Sequence, residues 1–283
     1  MSADPNVGAT TQPGTRSPRP KLSAPEIVEM KRRGEVIAVL TAYDHPTAHL
    51  ADAAGVEILL VGDSVGTVML GYESTLPVTM EDILHHTRAV SRARPSALVV
   101  ADMPFMSYQV SVEQAVLNAG RMVQEGGADA VKLEGGERVA PAVRRIVEVG
   151  IPVMGHLGLT PQSVLALGGY KVQARGEADQ ERLMSEARLL EECGCFSLVL
   201  EGIPARLGGA VTRELGIPTI GIGAGPGCDG QVLVSHDLLG LYLGRTPKFV
   251  RKYAELAEAV RVAFEGYVAD VKARRFPSER ESY

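Results

Sequence analysis

The sequence predicts a single (β/α)8 TIM barrel, and three observations carry that reading. Short runs of β-branched and apolar residues recur eight times after residue 21, most of them ending in polar or acidic groups. The runs are continuously apolar rather than alternating, as in parallel strands covered on both faces. Amphipathic segments with Gly- or Pro-marked turns lie between them, the rhythm of successive βα units. The chain's 283 residues suit one barrel of about 250 residues with short tails. A doubly wound open sheet is the rival, because the eighth run is weak.

In order, the strand candidates are Val36–Asp44, Val56–Ser64, Ala97–Phe105, Ala130–Gly135, Val153–Leu159, Phe196–Ile203 and Thr219–Gly225, with a vaguer one inside Gly230–Leu241. Helix starts are marked by Ser23 with Glu26, Thr79 with Asp82, and Ser111 with Gln114, each spaced as a capping box. After Ser111, the residues Val112, Ala115, Val116, Ala119, Met122 and Val123 keep helical spacing. Gly126, Gly150 and Gly194 stand where helices should stop. A last helix is expected over roughly Pro247 to Arg274. Two connections are long, Gly66–Pro77 and Thr160–Ala178, and read either as walls of a site or as surface insertions. The barrel spans residues 21–274. A proline-rich tail, expected to be disordered, precedes it over 1–20, and a short tail follows over 275–283.

Composition excludes several classes of function. Net charge is −5 and there is no tryptophan, so neither a basic surface nor a set of stacking platforms suits nucleic acid. No apolar run approaches the roughly 18 residues of a membrane span. The first twenty residues lack the apolar core of a signal peptide. Cys193, Cys195 and Cys228 form no disulfide framework and no zinc pattern, which suits free thiols in a reducing cytoplasm.

Chemistry gathers at the strand ends, which in a barrel open onto one face. They supply Asp44, Asp63 with Ser64, Asp102, Lys132 with Glu134, His156 and Glu201. Lys132 and Glu134 are two apart, so on a strand they point the same way. Carboxylates converging there repel one another unless a cation joins them. Asp63, Asp102 and Glu134 are hard oxygen donors, which favours Mg2+ over zinc. Such an ion suits a bidentate α-keto acid, whose carbonyl it polarises toward an enolate. Glu201 is placed to act as the base, and Lys132 to neutralise substrate charge. Taken singly, each acid could equally cap the next helix.

Two motifs point elsewhere. Gly62–Gly66 fits the G-x-S-x-G elbow of a serine hydrolase, with His236 as the available base. A loop rather than a helix is expected after it, which counts against that reading. Gly225–Gly230 fits G-x-G-x-x-G but stands late in the chain with a proline inside, so a tight turn explains it better than a dinucleotide site.

The segments LTAYD, VGDSVG, VADMPF, VKLEGG, GHLGLTPQS, LEGIP and IGIGAG, in that order, resemble the ketopantoate hydroxymethyltransferase family, over roughly Lys21 to Gly266. The resemblance implies a barrel of the phosphoenolpyruvate/pyruvate type. It implies transfer of a one-carbon unit from 5,10-methylenetetrahydrofolate to 3-methyl-2-oxobutanoate, on the route to pantothenate and coenzyme A. It also implies Mg2+ at Asp63 and Asp102 with Glu134 associated, keto-acid contacts from Asp63, Ser64, Asp102 and Lys132, and Glu201 as proton acceptor. His156 looks like a pocket residue without an assigned role. The family's habit of forming large rings implies a homo-oligomer, often a decamer.

Overall fold

The computed structural model describes residues 19–244 and 246–283. The N-terminal tail expected over 1–20 lies almost wholly outside the described residues. Eight parallel strands close into a barrel in sequence order. They are β1 (Ile37–Thr41), β2 (Ile58–Val61), β3 (Leu98–Asp102), β4 (Ala130–Glu134), β5 (Val153–Gly158), β6 (Ser197–Glu201), β7 (Thr219–Ile222) and β8 (Gly230–Leu233). Val39 of β1 is in register with Val232 of β8, which seals the barrel and excludes the open sheet. The weak eighth run is therefore a strand.

Helices α1 (Ala24–Arg32), α2 (His45–Ala54), α3 (Val65–Val68), α4 (Met80–Ser91), α5 (Val112–Gln124) and α6 (Ala140–Glu148) follow the chain through the first half. In the second half come α7 (Val164–Leu167), α8 (Glu177–Glu192), α9 (Ala205–Glu214), α10 (Ser235–Leu238) and α11 (Leu256–Lys272). The Ser23 and Thr79 capping boxes form in full. Ser111 caps α5 through the Gln114 amide, without the return bond from the Gln114 side chain that a box requires. Gly150 and Gly194 turn left-handed after α6 and α8, whereas Gly127, not Gly126, does so after α5.

Strand alternation produces two apolar layers. One face of each strand packs on the helices, through Val99, Ala101, Val131 and Leu133 among others. The other fills the barrel, through Ile37, Ile58, Leu98, Val100, Ala130, Met154, Val199, Ile220 and Val232, with Ile27 and Met30 of α1 joining that cluster. Residues two further along the inward face reach the C-terminal mouth. Asp102 thus follows Val100, Lys132 and Glu134 follow Ala130, His156 follows Met154, and Glu201 follows Val199.

The strand–helix rhythm breaks once. Residues 223–229 join β7 to β8 with no helix between them. The loop lies tight against α9: a Cβ on Gly208 would sit 2.5 Å from the Ala224 carbonyl oxygen. The final helix also starts later than Pro247. Over 247–255 the backbone instead turns back onto α10, and the amides of Tyr253 and Leu256 bond to the Leu238 and Leu239 carbonyls at 2.8 and 3.0 Å. Helix α11 contains no buried residue. Among the described residues no helix is long and apolar enough to cross a membrane.

Candidate active site

Asp63, Asp102, Lys132, Glu134 and His156 meet at the C-terminal mouth of the barrel, none more than 6% exposed. Strand register sets their pairing. Asp102 and Lys132 are partners across β3 and β4, and Lys132 Nζ lies 3.0 Å from Asp102 Oδ1. Glu134, two residues away on the same strand, is farther from the ammonium at 3.7 Å. Asp63 sits in the turn after β2, where its backbone N–H donates to Asp102 Oδ2 at 2.9 Å.

His156 bridges the two glutamates. Its Nδ1 is 3.4 Å from Glu134 Oε1 and its Nε2 is 3.3 Å from Glu201 Oε2. Lys132 Nζ is also 3.3 Å from Nδ1, as for a neutral ring, but two flanking carboxylates outweigh one ammonium already paired with Asp102. Burial and Lys132 push the imidazole pKa down, and Glu134 and Glu201 pull it up, with a net rise to about 9. Burial likewise opposes charge on Lys132 and Glu134. The three carboxylates nevertheless raise the lysine, while His156, Lys132 and the Gln162 amide hold Glu134 below its ordinary value. Asp63 goes the other way, pushed well up by burial and by the charges of Glu134 and Asp102. Burial also raises Asp102, against the pull of Lys132. Without a cation, negative charge is thus favoured on Glu134 over the two aspartates.

Gln162, which sequence reasoning did not single out, braces this cluster from the long connection after β5. Its Nε2 donates to Asp63 Oδ2 and to the Met103 carbonyl, each at 2.9 Å. Its backbone N–H donates to Glu134 Oε2 at 3.0 Å. Tyr108 donates its hydroxyl proton to Gln162 Oε1 at 2.7 Å and accepts from the Glu134 amide at 3.1 Å. The family-like segment GHLGLTPQS contained the glutamine, but nothing local marked it as reaching Asp63 ninety-nine residues earlier.

The donor set fits a hard divalent cation. Asp102 Oδ1 and Glu134 Oε1 are buried and face only the Lys132 ammonium and the His156 ring, and the nearby metal donors are carboxylate oxygens rather than sulfur. No three described side chains close on one point as a ready-made cage. An ion here would draw most of its ligands from water or substrate, which is how Mg2+ is commonly bound.

Above the cluster opens a cavity of about 890 Å3, whose wall includes Ser64 and Glu201. Both long connections line it, through Thr67 and Glu73 on one side and Tyr170 and Lys171 on the other. They are therefore walls of the site. Ser64 Oγ is bonded to the Tyr43 hydroxyl at 2.8 Å. His236 is 3.5 Å from Ser235 rather than bonded to Ser64. A one-turn helix, α3, does follow Ser64 directly, against the expected loop. Ser64 itself has ordinary helical dihedrals (φ −52°), so the strained elbow of a serine hydrolase is not formed. Gly225–Gly230 lies in the β7–β8 loop, away from any helix start of eight residues or more. Asp44 only caps α2, accepting from the Thr47 amide at 2.7 Å.

The barrel resembles solved structures of low sequence identity. A 2,3-dimethylmalate lyase of the PEP mutase/isocitrate lyase superfamily superposes with a TM-score of 0.59 at 17% identity, over 93% of each chain. A phosphonopyruvate hydrolase solved with oxalate and Mg2+ gives 0.57 at 13% identity, over 92% of this chain and 93% of that one. The sequence relationships are far closer. The 3-methyl-2-oxobutanoate hydroxymethyltransferase of Moorella thermoacetica is 58% identical over 265 residues, covering 94% of this chain and 98% of that protein. The protein of the same name from Syntrophus aciditrophicus is 59% identical over 269 residues, covering 95% and 99%. The family model described as ketopantoate hydroxymethyltransferase matches residues 21–279. With a match over nearly the whole described chain, this enzyme belongs to the ketopantoate hydroxymethyltransferase family.

Proposed function

We propose that the chain transfers a hydroxymethyl group from 5,10-methylenetetrahydrofolate to 3-methyl-2-oxobutanoate, giving 2-dehydropantoate and tetrahydrofolate by way of the keto acid's enolate. One observation carries this reading: an acid, Glu201, lines the same cavity wall as Ser64 and stands one imidazole away from a buried cluster of three carboxylates and a lysine. Mg2+, held by Asp63 and Asp102 with Glu134 beside them, would polarise the keto acid's carbonyl and stabilise negative charge on its oxygen.

Glu201 takes the proton from C3 of the keto acid. His156 holds one Glu201 oxygen by charge, leaving the other for the substrate. Lys132 offsets the negative charge of the bound keto acid, and the Ser64 hydroxyl, fixed by Tyr43, donates toward it. The C3 carbanion then attacks the donor's methylene carbon. A C–C bond forms at that carbon and its two C–N bonds break; water adds there as the hydroxyl, and the C3 proton and the second water proton end on the two donor nitrogens.

The test follows the C3 proton of 3-methyl-2-oxobutanoate by NMR in D2O with Mg2+ and no folate. Exchange that EDTA abolishes and Glu201→Gln slows at least a hundredfold supports the assignment. Full exchange in the Glu201→Gln enzyme would remove Glu201 from the role of base. The buried or half-buried free thiols suit the cytoplasmic location expected of such an enzyme. Assembly of identical copies is supported by α11, which buries nothing and exposes Phe264 and Tyr267. Light scattering of the intact chain checks that assembly.

A further inference from the structure

Asp237 presents a carboxylate that no side chain among the described residues bonds. It lies in α10, directly after β8, and lines the cavity described above. It is only 8% exposed, and its Oδ1 is buried without a hydrogen bond among the described residues. Burial pushes its pKa up, and Lys252 is the cation that opposes the rise. Lys252, however, places its ammonium 3.2 Å from Glu255. A carboxylate left this way costs free energy unless a ligand brings the missing donors.

The walls around it say what shape that ligand has. Tyr242, Phe249 and Tyr170 line the same cavity. The Phe249 ring lies directly over the end of β7, so that a Cβ on Gly223 would sit 2.8 Å from its Cδ1, and Gly223 itself has φ +65°. Aromatic walls of this kind take flat rings. Lys171 and Lys248 complete the lining and offer positive charge for a carboxylate-bearing tail. The keto acid does not fit the Asp237 end, because its own carboxylate would face another anion.

We propose that Asp237 recognises the 2-amino-4-oxo edge of the reduced pterin of the one-carbon donor, with the ring against Phe249, Tyr242 and Tyr170. That edge carries two adjacent donors, N3–H and the 2-amino group, which suit the two oxygens of one carboxylate once a small rotation of the side chain brings the buried Oδ1 to the cavity. The nitrogens that carry the one-carbon unit, N5 in the reduced ring and N10 just beyond it, are then turned away from Asp237, toward Glu201 and Ser64. The inference rests on the proposed folate donor and deepens it by placing the donor's ring.

The test is calorimetric titration of the full-length enzyme with tetrahydrofolate and with 6-methyltetrahydropterin, in the presence of Mg2+ and 3-methyl-2-oxobutanoate. Asp237→Asn replaces one acceptor by a donor and should weaken both ligands at least tenfold, while keto-acid affinity stays within twofold. The p-aminobenzoylglutamate fragment alone should be insensitive to this change and weakened by Lys248→Ala. If Asp237→Asn fails to fold, Phe249→Leu on the facing wall should weaken the pterin at least fivefold. Wild-type binding of both pterins with no loss in Asp237→Asn, or in Phe249→Leu where that variant is used, overturns the placement and leaves the folate donor standing. No binding of either pterin by the wild-type enzyme overturns the donor itself, and this placement with it.

Discussion

Glu134 and His156 are register partners on β4 and β5, and their side chains meet at 3.4 Å inside the barrel mouth. With Glu201 on the other ring nitrogen, the imidazole pKa rises from 6.5 to about 9. A raised folded-state pKa stabilises fully below the unfolded value and is lost as pH climbs through the folded one. Metal-free protein should therefore lose stability between pH 6.5 and about 9, by at most about 3 kcal/mol at 1.36 kcal/mol per pKa unit. Thermal melts across that range should show the decline in the wild type and a flatter profile in His156→Asn. Equal slopes in the two proteins would mean that the ring is neutral.

Lys132 is the ammonium among Asp63, Asp102 and Glu134, and it is almost fully buried. Lys132→Met would leave those carboxylates to repel one another. Removing one partner of a buried pair costs about 3–5 kcal/mol, and urea denaturation of metal-free Lys132→Met should show a loss of that order. Added Mg2+ should restore part of it, since the cation replaces the missing positive charge. A variant as stable as the wild type without metal would show that the acids are already protonated.

How much of this was legible in the chain depends on distance along it. That Lys132 and Glu134 share one face followed from their spacing, because a strand's period is fixed at two. The barrel followed from the repeated apolar runs, even though β8 was vague. The pairing of Lys132 with Asp102 rather than with its sequence neighbour did not, because strand register is set by the closed sheet. Gln162 reaches Asp63 only through a turn whose path no local pattern encodes, and Asp237 was hidden because its solitude is a property of the walls around it. The missing helix between β7 and β8 was legible in the short interval between Thr219 and Gly230, the starts of those strands. Residues 223–229 are too few for a helix and its two turns.

Ser64 Oγ and the Tyr43 hydroxyl share a hydrogen bond of 2.8 Å, with no histidine in line. A fluorophosphonate should leave Ser64 unlabelled under conditions that label a serine hydrolase. Tyr43→Phe removes the bond while keeping the ring, and should cost about 1 kcal/mol of stability. Keto-acid affinity, measured by calorimetry, should weaken severalfold as Ser64 loses its fixed orientation. Covalent labelling at Ser64 would reopen the hydrolase reading.

Gln162 supports two of the acids proposed to surround the cation, through different groups. Its side-chain amide holds Asp63 Oδ2 and the Met103 carbonyl, while its backbone amide holds Glu134 Oε2. Gln162→Leu removes the first pair of bonds and keeps the third. Each buried acceptor left unpaired costs about 1–3 kcal/mol, and the Tyr108 hydroxyl also loses its partner on Oε1, so a total loss of about 2–6 kcal/mol is expected in urea denaturation. Asp63, freed from its brace, should also bind Mg2+ several times more weakly in calorimetry performed without substrate. Gln162→Glu keeps the length but sets another acid beside Asp63, so it should weaken Mg2+ binding less than Gln162→Leu, because a carboxylate can also serve the ion. Lost stability with unchanged Mg2+ affinity in Gln162→Leu would reduce Gln162 to a packing residue, since a brace that positions a ligand must alter what the ligand binds.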